Sequence, residues 1–110
     1  MSNGYFIYSI IRKDIPLADQ IVQTAHSAFH AGETSQALEV LSDHEIPALI
    51  LLQVDNQEQL KKLAVKLKEK SIVHSKFFEP DDDLGYTSIT TVPLTGDQRK
   101  VFSNYRLWRA

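Results

Sequence analysis

The stretch Tyr5-Phe6-Ile7-Tyr8-Ser9-Ile10-Ile11, followed at once by Arg12-Lys13-Asp14 and Pro16, decides the fold. It is β-branched and aromatic almost throughout, with no alternation of polar and apolar residues. That pattern belongs to a strand buried on both faces, as in sheets covered by helices on each side. The charged triplet ends the strand, and Pro16 suits the first turn of a helix. Leu17, Ile21, Ala25, Ala28 and Phe29 then recur at helical spacing. They predict an amphipathic helix to about Ala31, with this stripe on the core and Gly32 placed to stop it.

Outward from that unit the same grammar repeats. A shorter helix is expected after Thr34 or Ser35, using Ala37, Leu38 and Leu41. Pro47 precedes a second continuous apolar run, Ala48-Leu49-Ile50-Leu51-Leu52, read as another central strand. Asp55 or Asn56 caps a helix whose stripe is Leu60, Leu63, Ala64 and Leu67. Ile72 to Phe78 reads as a third strand. Pro80 and three aspartates make a polar loop, and Tyr86 to Val92 forms a fourth strand. Thr95 with Gln98 has the form of a capping box for a last short helix. The order β-α-α-β-α-β-β-α predicts an α/β domain with helices on both faces of the sheet. The loop between the last two strands is too short for a crossover, so that pair is antiparallel or non-adjacent.

The chain has 110 residues, which suits one domain over 1–110. At this size roughly 65 % of the unfolded surface is buried, so a core forms without staples. Zero cysteines exclude a disulfide framework, a cysteine nucleophile and a thiolate zinc site. No apolar run reaches membrane-spanning length and the first residues lack a secretory pattern, so the expected location is the cytoplasm, with no membrane partner. Twelve Lys plus Arg against 14 Asp plus Glu give a formal net charge of −2. That balance argues against a protein that holds DNA through its phosphates. The basic residues are nevertheless grouped, Lys61, Lys62, Lys66, Lys68, Lys70 and Lys76 in one stretch and Arg99, Lys100, Arg106 and Arg109 in another. Such runs read as a solvated helix face or as a surface for a polyanion.

Phosphate-cradling glycine loops and nucleophile elbows are absent. His26 and His30 share a helix face with Glu33 one turn on, but Ser27 stands where a metalloprotease helix carries glutamate. The pair therefore reads as polarity or packing, and no metal is expected. Gln23, Thr24 and His26 lie on the helix that follows the first strand, near Arg12, Lys13 and Asp14. Ligands in α/β sheets sit where strand ends meet the following helices. Asp83-Leu84-Gly85-Tyr86-Thr87 feeds the fourth strand and can bring a carboxylate and a hydroxyl to the same crevice. A carboxylate, an amide, an imidazole and a hydroxyl around one pocket suit water activation at an ester. A plain loop reads equally well from the pattern alone.

A strand ending in Arg12-Lys13-Asp14, a helix carrying Gln23-Thr24-Ala25-His26, and the stretch Asp83-Leu84-Gly85-Tyr86-Thr87 together resemble the second class of peptidyl-tRNA hydrolases, the archaeal and eukaryotic type. Ile72-Val73-His74 leading to Glu79-Pro80 is similar too, and the likeness runs from about residue 5 to 110. The tail Tyr105-Arg106-Leu107-Trp108-Arg109 resembles the divergent branch of peptidyl-tRNA hydrolase domain-containing proteins. The resemblance implies a three-layer α/β/α sandwich with a four-stranded mixed sheet, a homodimer, and hydrolysis of the ester between a peptide and the tRNA 3′ end. On that reading Asp83 orients or deprotonates water, Thr87 and Gln23 hold the ester carbonyl and ribose, and His26 acts in the pocket or braces it. Lys13, Arg12, Asp14, Lys61, Lys62 and Lys66 bind the tRNA. No metal or cofactor is needed, because an acyl ester requires only positioning and oxyanion stabilisation. The chain departs from the family pattern in one place. Four residues before Gln23, where the family carries lysine in a glycine-rich turn, stands Asp19. Lys13 is the nearest replacement for that charge. The competing reading is a catalytically weak or inactive tRNA-binding or interaction module on the same fold.

Overall fold

The computed structural model describes residues 4–42 and 47–110. Its strands are β1 Phe6–Arg12, β2 Ala48–Val54, β3 His74–Glu79, β4 Gly85–Thr91 and β5 Arg106–Leu107. Its helices are α1 Leu17–Gly32, α2 Ser35–Ser42 and α3 Gln57–Glu69. The strands form one mixed sheet in the order β3-β4-β1-β2-β5. Only β1 and β2 run parallel, and the other three neighbours are antiparallel, including the β3–β4 pair.

The sheet therefore has five strands rather than the expected four. The fifth is the tail: Leu107 and Arg106 pair with Leu52 and Gln53, and the Trp108 amide donates to the Leu51 carbonyl at 2.9 Å. Two residues carry no periodicity to read, which is why this strand escapes the sequence pattern. The last helix is also different. Gly96–Phe102 is a 3-10 segment, and the Thr95 side chain makes no capping hydrogen bond. Asn56, by contrast, caps α3 by accepting from the Gln59 amide at 3.0 Å.

The two faces of the sheet are built on different physics. On one side, Leu60, Leu63, Ala64 and Leu67 of α3 pack on Tyr8, Ile10, Leu52, Val54 and Ile89, with Phe102 of the 3-10 segment stacked on Tyr8. This is the hydrophobic core. On the other side, α1 turns Gln20, Gln23, Ser27 and Ala31 inward. Ile11 and Ala31 are buried on this side as well, and with them runs a hydrogen-bonded chain in which the hydroxyls of Ser9, Thr90 and Ser27 are spaced at 2.8 and 2.7 Å. The stripe expected to face the core points the other way. Leu17, Ile21 and Phe29 are 49, 62 and 70 % exposed, and Val22 joins them at 49 %. The periodicity of α1 was readable, but its direction was not, because the sheet beneath offers Ser9, Ser88 and Thr90 and so selects the polar face of the helix.

β2 departs from expectation in a similar way, since Leu49 is 65 % exposed and the strand is fully covered only toward Leu52 and Val54. Ala37 of α2 is buried and Leu38 exposed, while the side chain of Leu41 lies outside the described residues.

Candidate active site

β4 carries a bulge where it meets β3. Phe77 pairs with Ser88 and Phe78 with Tyr86, so Thr87 is the extra residue. The bulge breaks the alternation and turns both Thr87 and Ser88 toward α1. Thr87 Oγ1 donates to the Gln23 side-chain carbonyl at 3.2 Å, and Ser88 Oγ donates to the Gln23 backbone carbonyl at 2.7 Å. Thr87 and Gln23 are both buried. The Gln23 amide in turn donates to Glu79 Oε2 at 3.2 Å. The result is a continuous line of hydrogen bonds, Thr87 to Gln23 to Glu79, from the sheet interior to the surface.

The outer end of that line is electrostatically defined. The Glu79 carboxyl is held below its ordinary value of 4.5, first by the Asp81 backbone N–H, then by the Gln23 amide, with the nearby His26 adding to the effect. Glu79 Oε1 accepts from the Asp81 amide at 3.1 Å. His26 stacks on Phe77 with ring centres 4.5 Å apart, and His30 lies over the same ring at 5.9 Å. Asp19, Gln23, His26 and His30 share one flank of α1 by their helical spacing. A fixed carboxylate, an imidazole and a buried amide–hydroxyl pair thus occupy one small region at the α1–β3 edge.

The other expected residues are placed as follows. Asp83 is exposed in a 3-10 turn, Asp81–Asp83, and makes no hydrogen bond or ion pair to Gln23 or His26 among the described residues. Asp82 and Asp83 both adopt left-handed backbone, with φ of 55° and 53°. Two consecutive non-glycine residues in that region store strain, which structures retain mainly where a loop must hold a set shape. Arg12 is buried and forms a two-pronged pair with Asp14, at 2.8 and 2.9 Å. Its remaining nitrogen donates to the carbonyls of Leu84 and Tyr86, the latter at 3.1 Å. Arg12 thus ties the start of β4 to the end of β1, and its donors are directed into the protein. Lys13 donates to the Arg109 carbonyl and lies 5.0 Å from the Trp108 ring centre. Trp108 is held by a 2.7 Å bond from its indole N–H to Gln20.

Lys61, Lys62 and Lys66 lie on α3, across the sheet from Gln23. They open onto three different depressions, with Lys61 beside Tyr86 and Lys76, Lys62 beside Tyr105 and Arg106, and Lys66 beside Val101. Among the described residues no three His, Asp or Glu side chains converge to hold a metal ion. Glu79 belongs to the stretch quoted for the resemblance, but the motif reading gives it no role in the site. Its partner Gln23 is 56 positions away, so no local spacing could signal the pair.

No family model matches the chain, and no curated protein matches it. A solved structure of a protein of unknown function, Atu0240 from Agrobacterium tumefaciens strain C58, superposes with a TM-score of 0.69 at 14 % identity. The match covers 96 % of this chain and 98 % of that one. At this identity the likeness extends to the fold alone.

Proposed function

We propose that the chain is a carboxylic-ester hydrolase acting on the ester that joins a peptide to the 3′ end of tRNA, on an α/β/α sandwich of the class II peptidyl-tRNA hydrolase kind. The observation that carries this reading is the bulge-positioned line Thr87–Gln23–Glu79, with His26 at its mouth. The residues that motivate the family resemblance on α1 and β4, far apart in sequence, meet there.

In this reading Thr87 and Gln23 are positioning residues, because each spends its polar atoms on protein partners. The groups that meet solvent are the Glu79 carboxylate and the His26 imidazole, with Asp83 on the neighbouring turn. A carboxylate orients an attacking water and takes its proton, and the tetrahedral intermediate collapses with that proton passing to the departing ribose oxygen. No cofactor is needed, because an acyl ester requires only positioning and oxyanion stabilisation. The cytoplasm, where peptidyl-tRNA is found, is the corresponding location. No helix among the described residues is long and apolar enough to cross a membrane.

One observation favours the second reading, a tRNA-end binding module with little turnover. Lys13, the cation that could replace the family lysine, is engaged by Trp108 and Arg109. Asp19 adds negative charge to the flank where hydrolysis develops an oxyanion.

Release of labelled peptide from peptidyl-tRNA by the purified chain tests the proposal. The wild type is expected to release peptide above the buffer rate, and Glu79→Gln and Asp83→Asn to lower kcat at least 10-fold. Asp19→Lys is expected to raise it, because a unit charge about 6 Å from an oxyanion is worth roughly 3 kcal/mol at an effective dielectric near 20. Absence of release in both wild type and Asp19→Lys would remove the hydrolase reading.

A further inference from the structure

On the face opposite Gln23, α3 packs chiefly on β4, β1 and β2 and leaves the edge strand β3 uncovered. A groove of about 360 Å³ runs between them. Its floor and inner wall are Leu60, Ala64 and Ile89, and its outer wall is Val65, 58 % exposed. Three ammonium groups rim it. Lys61 and Lys68 flank Val65 on one stripe of α3, at spacings of four and three residues. Lys76 faces them from β3, on the same sheet face as its register partner Ile89. No acidic residue lines the groove.

We infer that this groove binds a small organic anion with an apolar body, the body on Leu60, Ala64, Val65 and Ile89 and the negative group among Lys61, Lys68 and Lys76. The inference goes beyond the hydrolase reading and uses none of its residues except Lys61. Three cations around an apolar floor leave a positive site without internal compensation, and an anionic head with an apolar tail complements both parts. The volume falls within the range of small-ligand pockets. A nucleic acid fits less well. Stacking a base needs an open aromatic face, and Tyr86 has Lys76 over its ring at 5.2 Å and Phe78 edge-on at 5.1 Å. A docked helix from another protein would need roughly 800 Å² on this side, whereas Val65 is the one large hydrophobic of the lining that is exposed, Leu60, Ala64 and Ile89 being buried.

Decanoate is the probe, followed by amide chemical shifts of the isotope-labelled full chain, with decyltrimethylammonium as the equally apolar cation. Saturable shifts with decanoate at residues 60–68, 76 and 86–89 are expected, and none there with the cation. The triple variant Lys61→Gln/Lys68→Gln/Lys76→Gln should weaken decanoate binding at least 10-fold. Lys62→Gln/Lys66→Gln/Lys70→Gln should leave it within a factor of two. These substitutions are at exposed positions, so a folded spectrum is expected for each variant. Equal response to both amphiphiles, shifts centred on α1 instead, or equal weakening in both triple variants would each overturn the inference. So would displacement of decanoate by a single-stranded CCA trinucleotide, which would assign the groove to RNA.

Discussion

Gly85 has φ of +71°, and a methyl group there would run into the side chain of Gln57. That same Gln57 Oε1 accepts the Tyr86 amide at 2.7 Å, closing the loop that delivers Thr87 into the bulge. Gly85→Ala is therefore expected to cost about 2 kcal/mol, combining left-handed strain with loss or distortion of one hydrogen bond. Urea denaturation measures it, and a loss below about 0.5 kcal/mol would mean that Gln57 swings aside without consequence. At Glu79 the sign of the pH effect follows from the lowered carboxyl. The native state prefers the ionised form, so its contribution is full above the ordinary value of 4.5 and is lost as the pH falls through the lower native value. The stability gap between wild type and Glu79→Gln should thus be widest near neutral pH and narrow steadily in acid. Parallel denaturation midpoints for the two proteins across that range would show that the Asp81 and Gln23 bonds to Glu79 do not contribute to stability.

Among the elements, α1 and α3 have equally clear periodicity and opposite fates. The stripe of α3 meets Ile10, Leu52 and Ile89 and is buried, as its spacing foretells. The stripe of α1 would have met Ser9, Ser88 and Thr90, so the helix is rotated and its glutamines and serine go inside. Spacing reveals that a helix has two unlike faces, but only the partner sheet decides which face turns inward. The same limit applies to the site. The nearness of Gln23 and Thr87, which hydrogen-bond, was legible because the motif resemblance quotes both, whereas the Gln23–Glu79 bond and the Lys13–Trp108 contact depend on register and on a two-residue strand. Stability should divide along this line. Leu63 is fully buried in the apolar layer, so Leu63→Ala should cost roughly 2–5 kcal/mol from lost transfer energy and the cavity left behind. Thermal or urea unfolding checks this, and a cost under about 1 kcal/mol would place the cooperative core elsewhere.

For the whole molecule, the rotation of α1 has a consequence at the surface. Leu17, Ala18, Ile21, Val22, Ala25, Ala28 and Phe29 form one apolar arc, in which Ile21 and Phe29 are more than half open to water and Leu17 and Val22 nearly half. Patches of this kind on soluble chains mark interaction sites. The expected homodimer would use this arc, each copy presenting it to the other. Large residues stand at both ends, Leu17 and Ile21 at one and Phe29 at the other, with Ala25 between them. Two such helices related by a two-fold axis perpendicular to them would run antiparallel, which would set each Phe29 against Leu17 and Ile21 of the other copy, with the two alanines allowing close approach. Self-complementarity of this form is what a symmetric pair requires. Burying the exposed part of each large side chain contributes about 1 kcal/mol or more, and two copies double it. The proposal is a homodimer through α1, and sedimentation velocity tests it directly. The wild type is expected as a dimer at micromolar concentration. Ile21→Asp should shift it to monomer with its unfolding midpoint nearly unchanged, since residue 21 takes no part in the chain's own interior. A wild type that stays monomeric up to about 100 μM, where even contacts of roughly 5 kcal/mol would show, would leave the arc without a partner of its own kind.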